Sequence, residues 1–72
     1  MAVEMRGVFS SNVEQIGYDS ETQELYVTWR TGRTSIYSGV DEKLAFQVSN
    51  APSVGSVLNE FIKPAFAHRY AG

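Results

Sequence analysis

Residues 26–37 read YVTWRTGRTSIY and place two arginines, Arg30 and Arg33, on either side of the dipeptide Thr31-Gly32. On both sides of that dipeptide apolar and polar residues alternate, which is typical of β-strands that bury one face. A glycine-containing dipeptide between two such runs predicts a hairpin with a two-residue turn. We therefore predict that residues 25–30 and 33–38 form an antiparallel pair of strands.

A two-residue turn determines which side chains share a face of the hairpin, because successive side chains on a strand point to opposite sides. The solvent-facing side is predicted to carry three cross-strand pairs: Arg30 with Arg33, Thr28 with Ser35, and Tyr26 with Tyr37. The buried side is predicted to pack against helices through four apolar residues: Leu25, Val27, Trp29 and Ile36. The expected sheet thus has one buried and one open face.

The segment before this hairpin adds a third strand. Residues 13–18 alternate in the same way, and the polar loop 19–24 connects them to the hairpin. Extending the register through that loop brings Gly17 opposite Tyr26. The three strands follow one another along the chain as an antiparallel meander.

Two helices are predicted after the strands. Asp41 can cap a helix over residues 42–50, and Ser53 can cap a second helix that ends before Pro64. Apolar residues recur at helical spacing in the second one: Val54, Val57, Leu58, Phe61 and Ile62. The predicted fold class is α+β, a three-stranded antiparallel meander followed by two helices packed on one face of the sheet.

Length and composition limit the class of protein. The 72 residues suffice for a single domain over residues 1–72, with a core over about 7–66. Because so small a chain buries little surface, we expect a homo-oligomer. The net charge of −2 disfavours non-specific binding to long nucleic acids. No apolar run approaches the roughly 20 residues of a membrane span, so we expect a cytoplasmic protein, in the host cell if a phage encodes it.

The two arginines form the main candidate site. Like charges directly opposite each other destabilise a hairpin by up to about 1 kcal/mol, and an anion between them would reverse that effect. Guanidinium groups bind phosphate through paired hydrogen bonds, and tyrosines can stack on a base. The other ligand-binding candidates here are Tyr26, Tyr37, Thr28, Ser35 and Lys63. The alternative is that both arginines extend into solvent or pair with acidic residues.

A second candidate for anion binding is the start of the second predicted helix. Main-chain N–H groups and the helix dipole attract negative charge there, and Gly55 permits close approach. Ser53 would contribute its hydroxyl. The alternative is that Ser53 only caps the helix and no ligand binds.

Catalysis is not indicated by any arrangement of residues. His68 is the sole histidine, it lies near the C-terminus, and no serine or cysteine forms an evident nucleophile–base pair with it. The chain has no cysteine, and its carboxylates lack the spacing of metal ligands. We predict a protein that is not an enzyme and uses neither a metal nor a cofactor.

Several spaced motifs resemble the KTSC domain, a short module found at the C-terminus of some lysyl-tRNA synthetases and as stand-alone bacterial and phage proteins. The matching residues are Ser10-Ser11-Asn12, Ile16-Gly17-Tyr18-Asp19, Leu25, Gly32, Tyr37-Ser38-Gly39-Val40, Ala51-x-Ser53-x-Gly55, Leu58-Asn59 and Ile62-Lys63. Two positions depart from the family pattern: Ser35 replaces the first tyrosine of a Tyr-x-Tyr motif, and Phe66 replaces a terminal tyrosine. The resemblance implies RNA binding, and the sole ground for this is that the domain is fused to lysyl-tRNA synthetases in some proteins.

Three functions remain open at this point. The first is a non-catalytic module that recognises or sequesters a small phosphorylated nucleotide, which can be cyclic. Such a module would act as a phage-type immune-evasion sponge, and its binding site would be shared between protomers. The second is an RNA-binding domain that takes short RNA on the open sheet face. The third is a protein-interaction module that docks on a host protein.

Overall fold

A computed structural model describes residues 3–8 and 10–71 of the chain. Five antiparallel strands form one sheet in chain order: β1 (Met5–Gly7), β2 (Val13–Asp19), β3 (Glu24–Trp29), β4 (Thr34–Ser38) and β5 (His68–Tyr70). Between β4 and β5 lie the helical segments α1 (Glu42–Ser49), α2 (Val54–Val57) and a π-helical turn (Leu58–Ile62). The fold class is α+β, as predicted, but the sheet has five strands rather than three.

The two additional strands, β1 and β5, are the edges of the sheet, and each has only three residues. Three residues are too few to show an alternating pattern, so their sequence does not predict them. They form because longer neighbours offer main-chain partners: β1 pairs with β2, and β5 pairs with β4.

The helical segments cover one face of the sheet, and the core lies between the two layers. Buried residues from both layers pack together there: Val13, Ile16, Leu25, Val27, Tyr37, Val40, Ala45, Val48, Val54, Leu58 and Ile62. The predicted cap of α1 is confirmed, because the main-chain N–H of Leu44 donates to Asp41 Oδ1 at 2.8 Å. The predicted register of β2 against β3, with Gly17 opposite Tyr26, is also confirmed.

The hairpin between β3 and β4 differs from the predicted one by a single residue. The main-chain N–H of Trp29 donates to the carbonyl of Arg33 at 2.8 Å, and that of Gly32 donates to the carbonyl of Trp29 at 2.9 Å. The turn therefore contains three residues, 30–32, and Gly32 has a φ of +96°, which glycine adopts without a Cβ clash. The predicted two-residue turn and its three cross-strand pairs are wrong.

A shift of one residue exchanges the two faces of β4. Tyr37 and Ser35, both predicted to face solvent, lie opposite core residues of β3 and are 1% and 2% exposed. Ile36, predicted for the core face, lies instead on the other face of the sheet, opposite Tyr26. The open face and the buried face of the hairpin therefore carry different residues from those that the sequence predicts.

The second helix changes geometry midway. α2 gives way to the π-helical turn, in which the main-chain N–H of Lys63 donates to the carbonyl of Leu58 at 2.8 Å, five residues earlier. A π-turn is wider than an α-turn, so it rotates Phe61 away from the buried stripe. Phe61 is 57% exposed, although its spacing predicts burial, whereas Leu58 and Ile62 are fully buried.

Strand β1 covers Gly17 on the face of the sheet that lies away from the helices. A Cβ placed on Gly17 would lie 2.6 Å from Met5 Sδ and 2.8 Å from the carbonyl oxygen of Glu4. Both distances are shorter than van der Waals contact, so the close approach of β1 requires glycine at this position.

We expect Gly17→Ala to lower the free energy of unfolding by about 1–3 kcal/mol, because the new methyl group would displace β1. Gly7→Ala is the matched control, since the atom nearest to a Cβ at Gly7 would be the carbonyl oxygen of Glu14, at an ordinary contact distance of 3.8 Å. Urea unfolding followed by Trp29 fluorescence measures both variants. An unchanged midpoint for Gly17→Ala would show that β1 does not pack over this glycine.

Candidate anion-binding site

A cleft of about 430 Å³ lies at the β3–β4 turn, next to the loop before β2 and the end of the π-helical turn. We call it the cationic cleft. It is lined by Ser11, Asn12, Trp29, Arg30, Thr31, Arg33, Lys63 and Tyr70. The three cations predicted for the ligand site, Arg30, Arg33 and Lys63, therefore lie around one cavity. The two arginines come together in spite of the wrong hairpin register, because each lies in the turn or directly beside it in either register.

The loop before β2 holds Arg30 in place. The Nε of Arg30 donates to the carbonyl of Ser10 at 3.0 Å, and the main-chain N–H of Arg30 donates to the carbonyl of Asn12 at 2.9 Å. The loop is itself ordered, because Ser10 Oγ accepts hydrogen bonds from the main-chain N–H groups of Asn12 and Val13, both at 3.3 Å. These contacts leave the two terminal nitrogens of the Arg30 guanidinium group as donors for a ligand.

The other two cations each lie over an aromatic ring. The guanidinium carbon of Arg33 is 5.0 Å from the centre of the Tyr70 ring, and Lys63 Nζ is 4.7 Å from the centre of the Trp29 ring. The Trp29 ring is fixed in turn, because its Nε1 donates to Ser35 Oγ at 2.8 Å. Cation–π contacts at exposed sites contribute about 0.5–1 kcal/mol each and use no N–H donor. Arg33 and Lys63 are thus positioned while their donors stay available.

None of the described residues that line the cationic cleft is acidic. Within residues 3–8 and 10–71, the one salt bridge joins Arg69 to Glu24 at 2.7 Å, and it lies on the other face of the sheet. Three unpaired cations around one cavity produce a local positive potential, although the whole chain carries a net charge of −2. The cleft should therefore attract anions.

Two predicted site residues, Tyr26 and Thr28, lie on the open face of the sheet and do not line the cationic cleft. Their hydroxyl groups have local partners there: the Tyr26 O–H donates to Glu24 Oε1 at 3.4 Å, and the hydroxyls of Thr28 and Thr34 hydrogen-bond at 2.9 Å. The open face therefore consists largely of polar groups that already bond to one another.

Two more predicted site residues, Ser35 and Tyr37, face the helices, as the hairpin register requires. Both line a second, smaller cavity beside the cationic cleft. Burial raises the pKa of the Tyr37 phenol above its ordinary value. Tyr37 therefore contributes to the floor of this region and not to an open stacking surface.

The second anion candidate, Ser53 with Gly55, lies outside the cationic cleft. Ser53 Oγ donates to Ser56 Oγ at 3.0 Å and makes no capping bond to the main chain, so the predicted side-chain cap is wrong. Gly55 is buried, and a Cβ there would lie 3.1 Å from Ser10 Oγ. Gly55 thus permits the loop before β2 to approach the helix closely.

Five lining residues of the cationic cleft are not among the site residues that the sequence predicts: Ser11, Asn12, Trp29, Thr31 and Tyr70. Trp29 was assigned to the core and Tyr70 fell outside the predicted core of residues 7–66. Trp29 in fact lies at the end of β3, where it is half-buried and its ring reaches the cleft. Only the pairing of β5 with β4 reveals where Tyr70 lies.

These features define a small α+β domain whose antiparallel meander is covered on one face by short helices and carries a cationic cleft at one turn. The model of the KTSC domain family matches residues 9–66, and the chain belongs to this family, as its motifs indicated. A crystal structure of a KTSC domain protein from Yersinia pestis is similar, with a TM-score of 0.93 and 32% sequence identity. The match covers 99% of this chain and 100% of that one. No match was found among curated proteins.

The part of the chain that the structure describes contains no helix long and apolar enough to cross a membrane. Among the same residues, no group of three or more histidine, cysteine or carboxylate side chains is placed to hold a metal ion. The absence of catalysis stays a prediction.

We expect Glu24 to titrate below the ordinary range of glutamate, because its hydrogen bond with Arg69 lowers the pKa of the carboxyl group. A carboxyl group whose pKa is lower in the folded than in the unfolded protein stabilises the fold at pH values above its unfolded pKa of about 4.3. That stabilisation is lost as the pH falls through the folded pKa. Carbon-13 NMR of the side chain measures the pKa directly. In the variant Arg69→Gln, the pKa of Glu24 should rise towards about 4.3. An unaltered pKa in that variant would contradict the ion pair.

Proposed function

We propose that this protein is a non-catalytic binding module that holds a small phosphorylated nucleotide in the cationic cleft. The observation that carries the proposal is the convergence of Arg30, Arg33 and Lys63 on one cavity without an acidic lining residue. Phosphate groups match this arrangement, because guanidinium groups bind them through paired hydrogen bonds and an ammonium group adds a point charge.

The dimensions of the cleft support a small ligand. Its volume of about 430 Å³ falls within the range of roughly 300–1,000 Å³ that is usual for small-molecule sites. The homo-oligomer expected from chain length, with a site shared between protomers, stays a prediction.

Binding without turnover would make the protein a sequestering agent. The cleft offers cations, hydroxyls, an amide and two aromatic rings, which together bind a ligand and orient it. A cyclic nucleotide signal fits this scheme as well as a linear nucleotide does, because both present phosphate beside a planar base. Removal of such a signal by a phage-type sponge is the biological role that we propose.

We expect a nucleotide at about 100 times its dissociation constant to stabilise the protein by about 2.7 kcal/mol, which corresponds to a thermal shift of roughly 10–20 °C in so small a domain. Thermal-shift assays against nucleoside monophosphates, cyclic mononucleotides and cyclic dinucleotides test this expectation. Lys63→Gln and Arg33→Gln should each weaken binding by about tenfold or more, because a hydrogen bond to a charged group contributes about 1.5–3 kcal/mol.

Lys43→Gln is the matched control for Lys63→Gln, because Lys43 is an exposed lysine on α1 and does not line the cleft. It removes the same charge and should leave the affinity nearly unchanged. Equal losses in the two lysine variants would indicate attraction by net charge alone and would contradict the site. Absence of a shift with every nucleotide would reject the proposed function. A shift with short RNA only, falling steeply with salt, would favour the RNA-binding alternative.

A further inference from the structure

A second cavity of about 210 Å³ adjoins the cationic cleft. We call it the aromatic cleft. Its lining residues are Trp29, Ser35, Tyr37, Lys63, His68 and Tyr70. Three of them, Trp29, Lys63 and Tyr70, also line the cationic cleft, so the two cavities share a wall. A molecule with two chemically different parts can occupy both.

Rings dominate the wall of the aromatic cleft. The His68 and Tyr37 rings lie 5.3 Å apart between centres and are tilted by 38°, while His68 meets Tyr70 edge to face at 5.4 Å. Tyr37 is only 1% exposed and forms the floor, whereas Tyr70 is 55% exposed and is accessible to a ligand. The Tyr70 ring also contacts Arg33 of the cationic cleft, and it therefore lies at the junction of the two cavities.

We propose that the aromatic cleft is a base subsite, in which a planar nucleobase stacks on Tyr70 while the phosphate of the same nucleotide lies in the cationic cleft. This proposal rests on the proposed function. It makes Tyr70 the residue that distinguishes nucleotides from other phosphorylated molecules, because stacking on an aromatic ring recognises a base and not a sugar phosphate.

The cations of the cationic cleft and two rings of the aromatic cleft come from different parts of the chain. The three cations lie within residues 9–66, which the KTSC family model matches, whereas His68 and Tyr70 lie on β5, beyond the matched segment. β5 has three residues, all exposed, and pairs only with β4 in the described sheet. β5 therefore contributes two rings of the aromatic cleft from outside the matched segment.

The test compares ligands that share a phosphate and differ in the base. The wild-type protein is titrated calorimetrically with AMP, GMP, CMP, UMP and ribose 5-phosphate. At least one of the four nucleotides should bind more tightly than ribose 5-phosphate, by a factor of about ten or more. Tyr70→Leu should weaken that nucleotide more than ribose 5-phosphate and bring the two affinities close together. Ribose 5-phosphate also loses some affinity, because the Tyr70 ring lies against Arg33. Tyr70→Phe retains the ring and should retain the preference.

Tyr26→Leu is the control, since it removes a tyrosine from the opposite face of the sheet. It should alter neither the affinity for the nucleotide nor that for ribose 5-phosphate. Equal affinity of the wild type for all four nucleotides and ribose 5-phosphate would overturn the base subsite and leave the phosphate site standing. Equal weakening of nucleotide and sugar phosphate by Tyr70→Leu would also overturn it. If neither class of ligand binds, the proposed function and the base subsite both fail.

Discussion

The hydrogen bond from the Trp29 main-chain N–H to the carbonyl of Arg33, 2.8 Å long, closes the three-residue turn on which the arrangement of the hairpin depends. A β-strand alternates its side chains strictly, so this one bond assigns every residue of β4 to a face. It turns Tyr37 and Ser35 towards the helices. Ser35 then fixes the Trp29 ring, and that ring supports Lys63.

The distribution of charge over the two faces of the sheet follows from the same arrangement. On the open face, Glu24 pairs with Arg69 and accepts hydrogen bonds from the hydroxyls of Thr22 and Tyr26. At the cationic cleft, Arg33 and Lys63 lie over rings and no acidic residue lines the cavity. Rings lower the electrostatic cost of holding these cations close together without neutralising them. The cleft can therefore keep its attraction for anions in a chain whose net charge is negative.

The helical layer and the short edge strand complete the cavity from two sides. The π-helical turn keeps Ile62 in the core and ends where Lys63 begins to line the cleft. β5 adds Tyr70 to the wall through its pairing with β4. π-turns within helices occur often at functional sites, and here the turn lies directly before a cation of the candidate site.

The sequence by itself determined the elements whose signals are local. The α+β class, the pairing of β2 with β3 and the cap of α1 by Asp41 could all be derived from alternation, helical spacing and side-chain chemistry. The sequence also places Arg30 and Arg33 close together, because a turn joins them in either register, and the structure adds Lys63 to the same cavity. Family membership followed from spaced motifs.

Only the tertiary structure decided the rest. A turn containing Gly32 can have two or three residues, since glycine suits both, and the choice depends on which face of β4 the core accepts. The edge strands are too short to carry a pattern and exist only through their partners. The aromatic wall combines Trp29 with Tyr70, 41 positions apart, so its existence depends on long-range pairing between strands, which alternation within one segment cannot specify.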